Sequence, residues 1–371
     1  MKLFCPSSIC PNHSPNTNSR WFDYHGSYVS CGITRQRYQC KHCGRTFSQR
    51  SLSIDYWTHK TINYQELVTL FSSGFSVRGL ARYFHTSTQT IQNRFGRLAR
   101  NLITILTSLH HSLKLNEHLV ADGLENFCVS QDFPNNIHLL AGKKSQFLYG
   151  FNYALMRRKG RKTDIQKNRC EKLYPYVDFT THAIKKTFKE LLVQMTNIAH
   201  QTDSLRLYTD EKEQYRYALN EDPFTSKLKA SDSFSHITIN SKEPRTVMND
   251  LFTVNYLDRE VRKDVPEYHR ETVCFGRNVS NSLERLCVYF YHHNFIKRYR
   301  IGVMGEERTH AEVAGVGREE VGRIREDVLM RRSFYHDGSV SYGGFFDELW
   351  RRAVPTPLKK GSEYLPKYAI A

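Results

Sequence analysis

The chain has 371 residues, of which 54 are Lys or Arg and 37 are Asp or Glu, for a formal net charge of +17. With 39% hydrophobic and 13% aromatic residues it holds enough apolar side chains for two or three folded domains and too many for a disordered chain. No run approaches the ~18 apolar residues of a membrane-crossing helix, and Cys5 and Pro6 stand where a signal peptide needs an apolar stretch. The expectation is a soluble, intracellular protein whose nine cysteines stay reduced or hold metal rather than form disulfides.

The charge is unevenly spread. Residues 1–116 hold 14 Lys and Arg against 3 Asp and Glu, and the remainder holds 40 against 34. A basic surface of this kind attracts polyanions, nucleic acid first, so the front third is expected to make the main DNA contacts.

In chain order, the first signal is cysteine spacing. Cys40-Lys41-His42-Cys43 lies about thirty residues after Cys5 and Cys10, and two thiolate pairs facing each other across a short sheet supply tetrahedral zinc with four soft ligands. The preferred set is Cys5, Cys10, Cys40 and Cys43, with His13 as an alternative to Cys5 and Cys31 read as packing. This predicts a structural zinc ribbon over residues 1–50.

Residues 51–115 read as a helix-turn-helix. An apolar helical pattern over 64–72 is followed by a second helix through Val77, Leu80, Ala81 and Phe84, then by a polar turn, His85-Thr86-Ser87. A third helix carries Ile91, Phe95 and Leu98. Ser76 and Ser87 are placed to cap the second and third helices. The third would be the reading helix, with Thr88, Gln89, Gln92 and Asn93 offered to base edges and Arg94, Arg97 and Arg100 to phosphates.

From residue 117 the pattern becomes strand, strand, strand, helix, strand, helix, strand, helix. Strands are expected near 118–123, 136–141, 147–157, 204–210 and 234–240, and helices near 179–199, 211–219 and 246–262. Three antiparallel strands followed by crossover-linked strands make an α/β sheet with ribonuclease H-like order. Two apolar runs each end in one carboxylate, His118-Leu119-Val120-Ala121-Asp122 and Leu205-Arg206-Leu207-Tyr208-Thr209-Asp210. Paired carboxylates at neighbouring strand ends are how a fold holds catalytic divalent metal.

The run Arg37-Tyr38-Gln39-Cys40-Lys41-His42-Cys43-Gly44-Arg45-Thr46-Phe47, the helix-turn-helix and the two-aspartate sheet together resemble bacterial insertion-sequence transposases of the acidic-triad (DDE) class. The resemblance spans nearly the whole chain. It extends to Arg157-Arg158-Lys159-Gly160-Arg161-Lys162-Thr163, Thr209-Asp210-Glu211, the segment from Val254 to Arg262, the segment from Arg270 to Phe275, and Tyr291-His292-His293-Asn294-Phe295. It implies a multidomain α+β chain, with a ribonuclease H-like catalytic domain over 116–300 and a C-terminal extension over 301–371 whose role the sequence does not give.

The resemblance further implies binding to the element's terminal inverted repeats and to target DNA, as a homo-oligomer on the DNA in the bacterial cytoplasm. Asp122 and Asp210 would hold two Mg2+ or Mn2+ ions about 4 Å apart for strand cleavage and strand transfer. The third ligand departs from the plain pattern. The position seven residues before Arg262 is Asn255, whose carbonyl can still coordinate a hard cation; Asp258 is the carboxylate rival on nearly the same helix face, and Glu271 is a more distant candidate.

Arg262 and Arg270 are candidates for gripping a phosphate near the cut. His292, His293 and Asn294 are expected in a core or interface role, and the basic run from Arg157 to Lys167 is expected to leave the third strand as a loop that tracks DNA. The alternative reading is a regulator that keeps the DNA-binding modules on an inactive catalytic domain.

Overall fold

The computed structural model describes residues 3–7, 9–13, 20–199, 202, 204–230, 233–270, 274–336, 344–360 and 364–370. Glu271, one of the candidate third ligands, lies outside the described residues. Near the N-terminus β1 (Phe22–Ser30), β2 (Ile33–Cys40) and β3 (Thr46–Phe47) form an antiparallel sheet in that order. Trp21, Tyr38, Phe47 and Leu52 close a small core of their own with Phe4, Cys5, Cys10 and Cys40. Cys31 is not part of it: it is exposed at the β1–β2 turn, with φ of +54°, so the packing role expected for it does not hold.

Helices α1 (Tyr64–Ser72), α2 (Val77–Tyr83) and α3 (Thr88–Ser112) follow. The side chain of Ser76 accepts from the Gly79 N–H and that of Ser87 from the Thr90 N–H, each at 3.1 Å, satisfying free donors at the starts of α2 and α3. At 25 residues α3 runs far past a reading helix, and from Arg94 onward it is buried almost all round.

The large sheet contains β4 (Leu119–Phe127), β5 (Pro134–Gly142), β6 (Leu148–Phe151), β7 (Ala154–Leu155), β8 (Leu205–Asp210) and β9 (Phe234–Ile239). Its order is β6-β5-β4-β8-β9, with β7 paired to β5; β4, β8 and β9 run parallel, and β5 and β6 run against their neighbours. The strands fall where the apolar runs lie, with two differences. The third run divides into β6 and β7, and β4 continues to Phe127, so Asp122 sits within the strand instead of ending it.

Between and after the strands come α4 (Asp164–Leu173), α5 (Ala183–Ala199), α6 (Glu213–Glu221), α7 (Pro223–Ala230), α8 (Phe252–Asp264) and α9 (Val279–Phe295). Helix α4 occupies part of the run expected as a loop, because Thr163 and Gln166 close a capping box that starts a helix there. Helix α8 packs on β4 and β5. Phe188 of α5 and Tyr215 of α6 meet His138, which pairs with Gly123 and so points to the sheet face opposite Asp122.

The C-terminal helices α10 (His310–Val313), α11 (Arg318–Leu329), α12 (Ser333–His336), α13 (Gly344–Arg351) and α14 (Lys367–Ile370) complete the fold. α3 is packed by α9, α11, α12 and α13, and one continuous apolar core runs from Ile54 to Val354. Helices α1 to α3, where the sequence suggested a separate helix-turn-helix domain, are therefore built into the main body. Among the described residues no helix is long and apolar enough to cross a membrane.

Candidate functional site

The thiol cluster is assembled by two knuckles. In one, the Cys40 N–H donates to the Arg45 carbonyl and the Gly44 N–H to the Cys40 carbonyl, both at 2.9 Å, with Gly44 at a φ of +70° that a side chain would strain. In the other, the N–H of Cys10 bonds Ser7 and that of His13 bonds the Cys10 carbonyl. The Sγ atoms of Cys5, Cys10, Cys40 and Cys43 all lie within 4.8 Å of one another. Cys5 to Cys43 is 3.5 Å and Cys10 to Cys40 is 3.7 Å, against the ~3.8 Å edge of a tetrahedron with Zn–S bonds of ~2.3 Å. The four cysteines can hold a metal ion such as zinc. His13 does not replace Cys5: its Nδ1 lies 2.8 Å from the Cys5 carbonyl oxygen.

In the large sheet, Leu119 pairs with Leu207 and Val120 with Tyr208 in parallel register. Two residues further on, the same register sets Asp122 level with Asp210, and the alternation of side chains turns both to one face. Lys212 sits between them, its Nζ 3.8 Å from Asp122 Oδ1 and 3.4 Å from Asp210 Oδ2. The Gly123 N–H donates to Asp122 Oδ1 at 2.7 Å and the Lys212 N–H to Asp210 Oδ1 at 3.1 Å, fixing each carboxylate.

Burial pushes the Asp122 carboxyl above its ordinary pKa, opposed by Lys212 and reinforced by Asp210. Asp258 on α8 is pushed up to about 7, first by burial and then by Asp122. Three acidic groups thus share one field, and Arg245 contributes to it at both Asp122 and Asp258. Their oxygens stand wider apart than the thiols: among the described residues only the cysteine cluster brings three or more potential ligand atoms within 4.8 Å of one another.

Asn255, about one turn before Asp258 on α8, is half-buried and makes no side-chain hydrogen bond among the described residues. Asn255 carries no charge, so of the two only Asp258 adds a carboxylate to the field at Asp122. Arg262 donates to the Glu125 carbonyl at 2.9 Å, and Arg270 pairs with the Glu125 carboxylate at 3.1 Å. Both arginines gather near the end of β4, three residues beyond Asp122. Lys212 and Arg245 escaped the sequence reading. Lys212 could have been suspected from its place two residues after Asp210, whereas no local pattern marks Arg245.

Helix α3, expected from the sequence to read DNA, divides into two parts. Thr88, Gln89 and Asn93 are exposed, next to exposed Arg78 and Arg82 of α2, which the sequence reading passed over. Gln92 is buried and donates to Glu284 at 2.7 Å, while Arg285 donates to its oxygen. Arg94, Arg97 and Arg100 are 4%, 3% and 2% exposed, so the phosphate role expected for them is corrected. Arg94 donates to the Lys60 carbonyl and Arg97 to the Ile54 carbonyl. Arg97 also lies 3.6 Å from the centre of the Tyr368 ring, and Arg100 bonds the Trp350 carbonyl and the Tyr368 hydroxyl. A guanidinium buried on carbonyls and rings clamps the fold and is unavailable to DNA.

His293 stacks on His310 at 3.9 Å and meets the Gln146 carbonyl, and Asn294 bonds both backbone groups of Leu148. These are structural placements. Comparison with protein-family models and with curated proteins found no match to this chain.

Proposed function

We propose that the protein is a DNA transposase of the acidic-triad class. It binds the terminal inverted repeats of its own insertion sequence and performs metal-dependent strand cleavage and strand transfer, as a homo-oligomer assembled on DNA. The observation that carries this reading is the parallel pairing of β4 with β8, which sets Asp122 and Asp210 side by side with Asp258 in their field. The strand order β6-β5-β4-β8-β9, which is that of a ribonuclease H-like sheet, supports it, as do a cysteine cluster suited to a structural zinc ribbon and the exposed face of Arg78, Arg82, Thr88, Gln89 and Asn93.

Asp122, Asp210 and Asp258 are the residues that would hold two Mg2+ or Mn2+ ions. Such ions activate water or a DNA 3′-hydroxyl and stabilise the leaving oxygen. The chain's own contribution is positional: strand register aligns two carboxylates, backbone N–H groups orient them, and α8 brings the third. Arg262 and Arg270 lie close enough to this end of the sheet to neutralise phosphate charge once Glu125 yields them.

The test is cleavage of a duplex bearing the element's terminal repeat, in Mn2+. Wild-type protein is expected to nick or join it, and Asp122→Ala or Asp210→Ala to lower the rate by three orders of magnitude or more while binding persists. One observation favours the alternative of an inactive regulator, namely that Lys212 already ion-pairs with both aspartates. Wild-type protein that binds the repeat and never cuts it with any divalent metal would decide for the regulator.

A further inference from the structure

Between residues 157 and 172 the chain carries eight Lys and Arg against two Asp and Glu. This segment, running from the end of β7 through α4, is anchored by an acid turned inward. Asp132 is fully buried; Arg158 Nη1 reaches its Oδ1 at 3.3 Å and Arg169 Nε its Oδ2 at 2.6 Å. The Tyr174 hydroxyl donates to the Asp132 carbonyl at 3.0 Å and accepts from the Arg158 N–H at 3.0 Å. Arg157 lies 5.0 Å from the centre of the Phe179 ring. A buried carboxylate with two guanidiniums is costly to break once formed, so this brace holds the segment in one shape.

Of the five remaining cations, Lys167 pairs with Asp164 of its own helix at 2.9 Å, and the other four point outward. Lys159, Arg161 and Lys172 are exposed and Lys162 is half-exposed, and none of the four forms an ion pair among the described residues. Like charges crowded on a rigid support repel one another in the free protein, and a polyanion relieves that cost. The position is informative as well. Ala154 of β7 pairs with Asn136, which pairs with Glu125, three residues beyond Asp122. Two strand spacings of ~4.8 Å and three residue steps of ~3.4 Å put the root of the segment roughly 14 Å from Asp122. That is the carboxyl end of the parallel strands, where α/β sheets bind their ligands.

We propose that this braced segment is a second duplex-DNA contact, gripping the phosphate backbone of the flank that passes beyond the carboxylates, without regard to sequence. The proposal rests on the transposase reading for what lies at the carboxylates, but its test does not. Full-length protein carrying Lys159→Gln, Arg161→Gln, Lys162→Gln and Lys172→Gln is titrated with a 40-base-pair duplex in EDTA, where no cutting occurs. The plot of log Kd against log salt is expected to flatten by about 0.9 for each phosphate that the variant no longer neutralises, a change of roughly 2 to 4, and affinity near 0.1 M salt to fall at least about tenfold for repeat and random duplexes alike.

Independently of any variant, bound duplex is expected to shield Lys159, Lys162 and Lys172 of the wild-type chain from amine acylation. An unchanged salt slope, a loss confined to one sequence, full acylation in the complex, or tighter wild-type binding to single-stranded RNA than to duplex DNA would each overturn the proposal. If the duplex contact holds and Mn2+ cleavage fails, only the catalytic reading falls.

Discussion

In the N-terminal module four thiols lie within 4.8 Å of one another inside a small aromatic core, whereas in the sheet Asp122 and Asp210 share the ammonium of Lys212 and remain 18% and 17% exposed. The thiols close on themselves, as a site does when its ion serves the fold. The carboxylates are aligned by strand register, wider apart and partly open, and their counter-charge comes from the chain. On the proposed function, an arrangement of this second kind would exchange Lys212 for metal and leave room for DNA, neither of which a structural ion needs.

The largest effect that would break this contrast lies at the thiols. Replacing Cys40 and Cys43 together by serine is expected to take bound zinc from one ion per chain to none, and to unfold β1 to β3 while β4 and β5 keep their amide protection. Metal analysis with hydrogen exchange reads both. A metal-free chain whose first sheet stayed protected would refute the structural role of the cluster.

A smaller effect is expected at the carboxylates. Lys212→Met removes the competing cation, and Mn2+ measured by calorimetry should bind about tenfold more tightly, a modest share of the ~4 kcal/mol between unit charges 4 Å apart near a protein surface. Unchanged or weaker binding would mean that Lys212 does not contend for the acids and that the contrast is drawn wrongly.

The smallest effect concerns pH. Asp258, with its folded pKa raised to about 7, is more readily neutral in the folded chain than in the unfolded one, where a value of about 3.9 applies. Its contribution to stability is complete below that unfolded value and is lost as pH rises through about 7. Asp258→Asn should therefore match the wild-type Tm at pH 4 and exceed it by a few degrees at pH 8. An offset that is the same at both pH values would show that this carboxyl does not titrate as its surroundings dictate.

Much of the framework was legible because short-range pattern controls it. The apolar runs around residues 119 and 205 had to be strands, the serines at 76 and 87 had to cap helices, and cysteine spacing named the four thiols. The neighbourly placement of Asp122 and Asp210 followed from strand order, and was legible as soon as β4 and β8 were read as adjacent. What failed depended on partners far along the chain. Arg97 and Arg100 look like solvated helix charges until Trp350 and Tyr368, some 250 residues later, cover them. Gln92 is taken by Glu284 and Arg285 in the same way. The basic run looked like an open loop because nothing local reveals that Asp132, upstream of three intervening strands, turns inward to pin it.

The length of α3 has a further consequence. One uninterrupted rod of 25 residues carries Thr88, Gln89 and Asn93 at its outer end and is embedded among α9, α11 and α13 along the rest, which at ~1.5 Å per residue is a span of roughly 37 Å. On the proposed function, bases docked on the outer tip would be set at a constant offset from the acidic centre, and the protein would work as a ruler. Inserting a few base pairs between the docked bases and the cut would rotate the scissile bond out of reach, and no hinge in this rod could make up the difference.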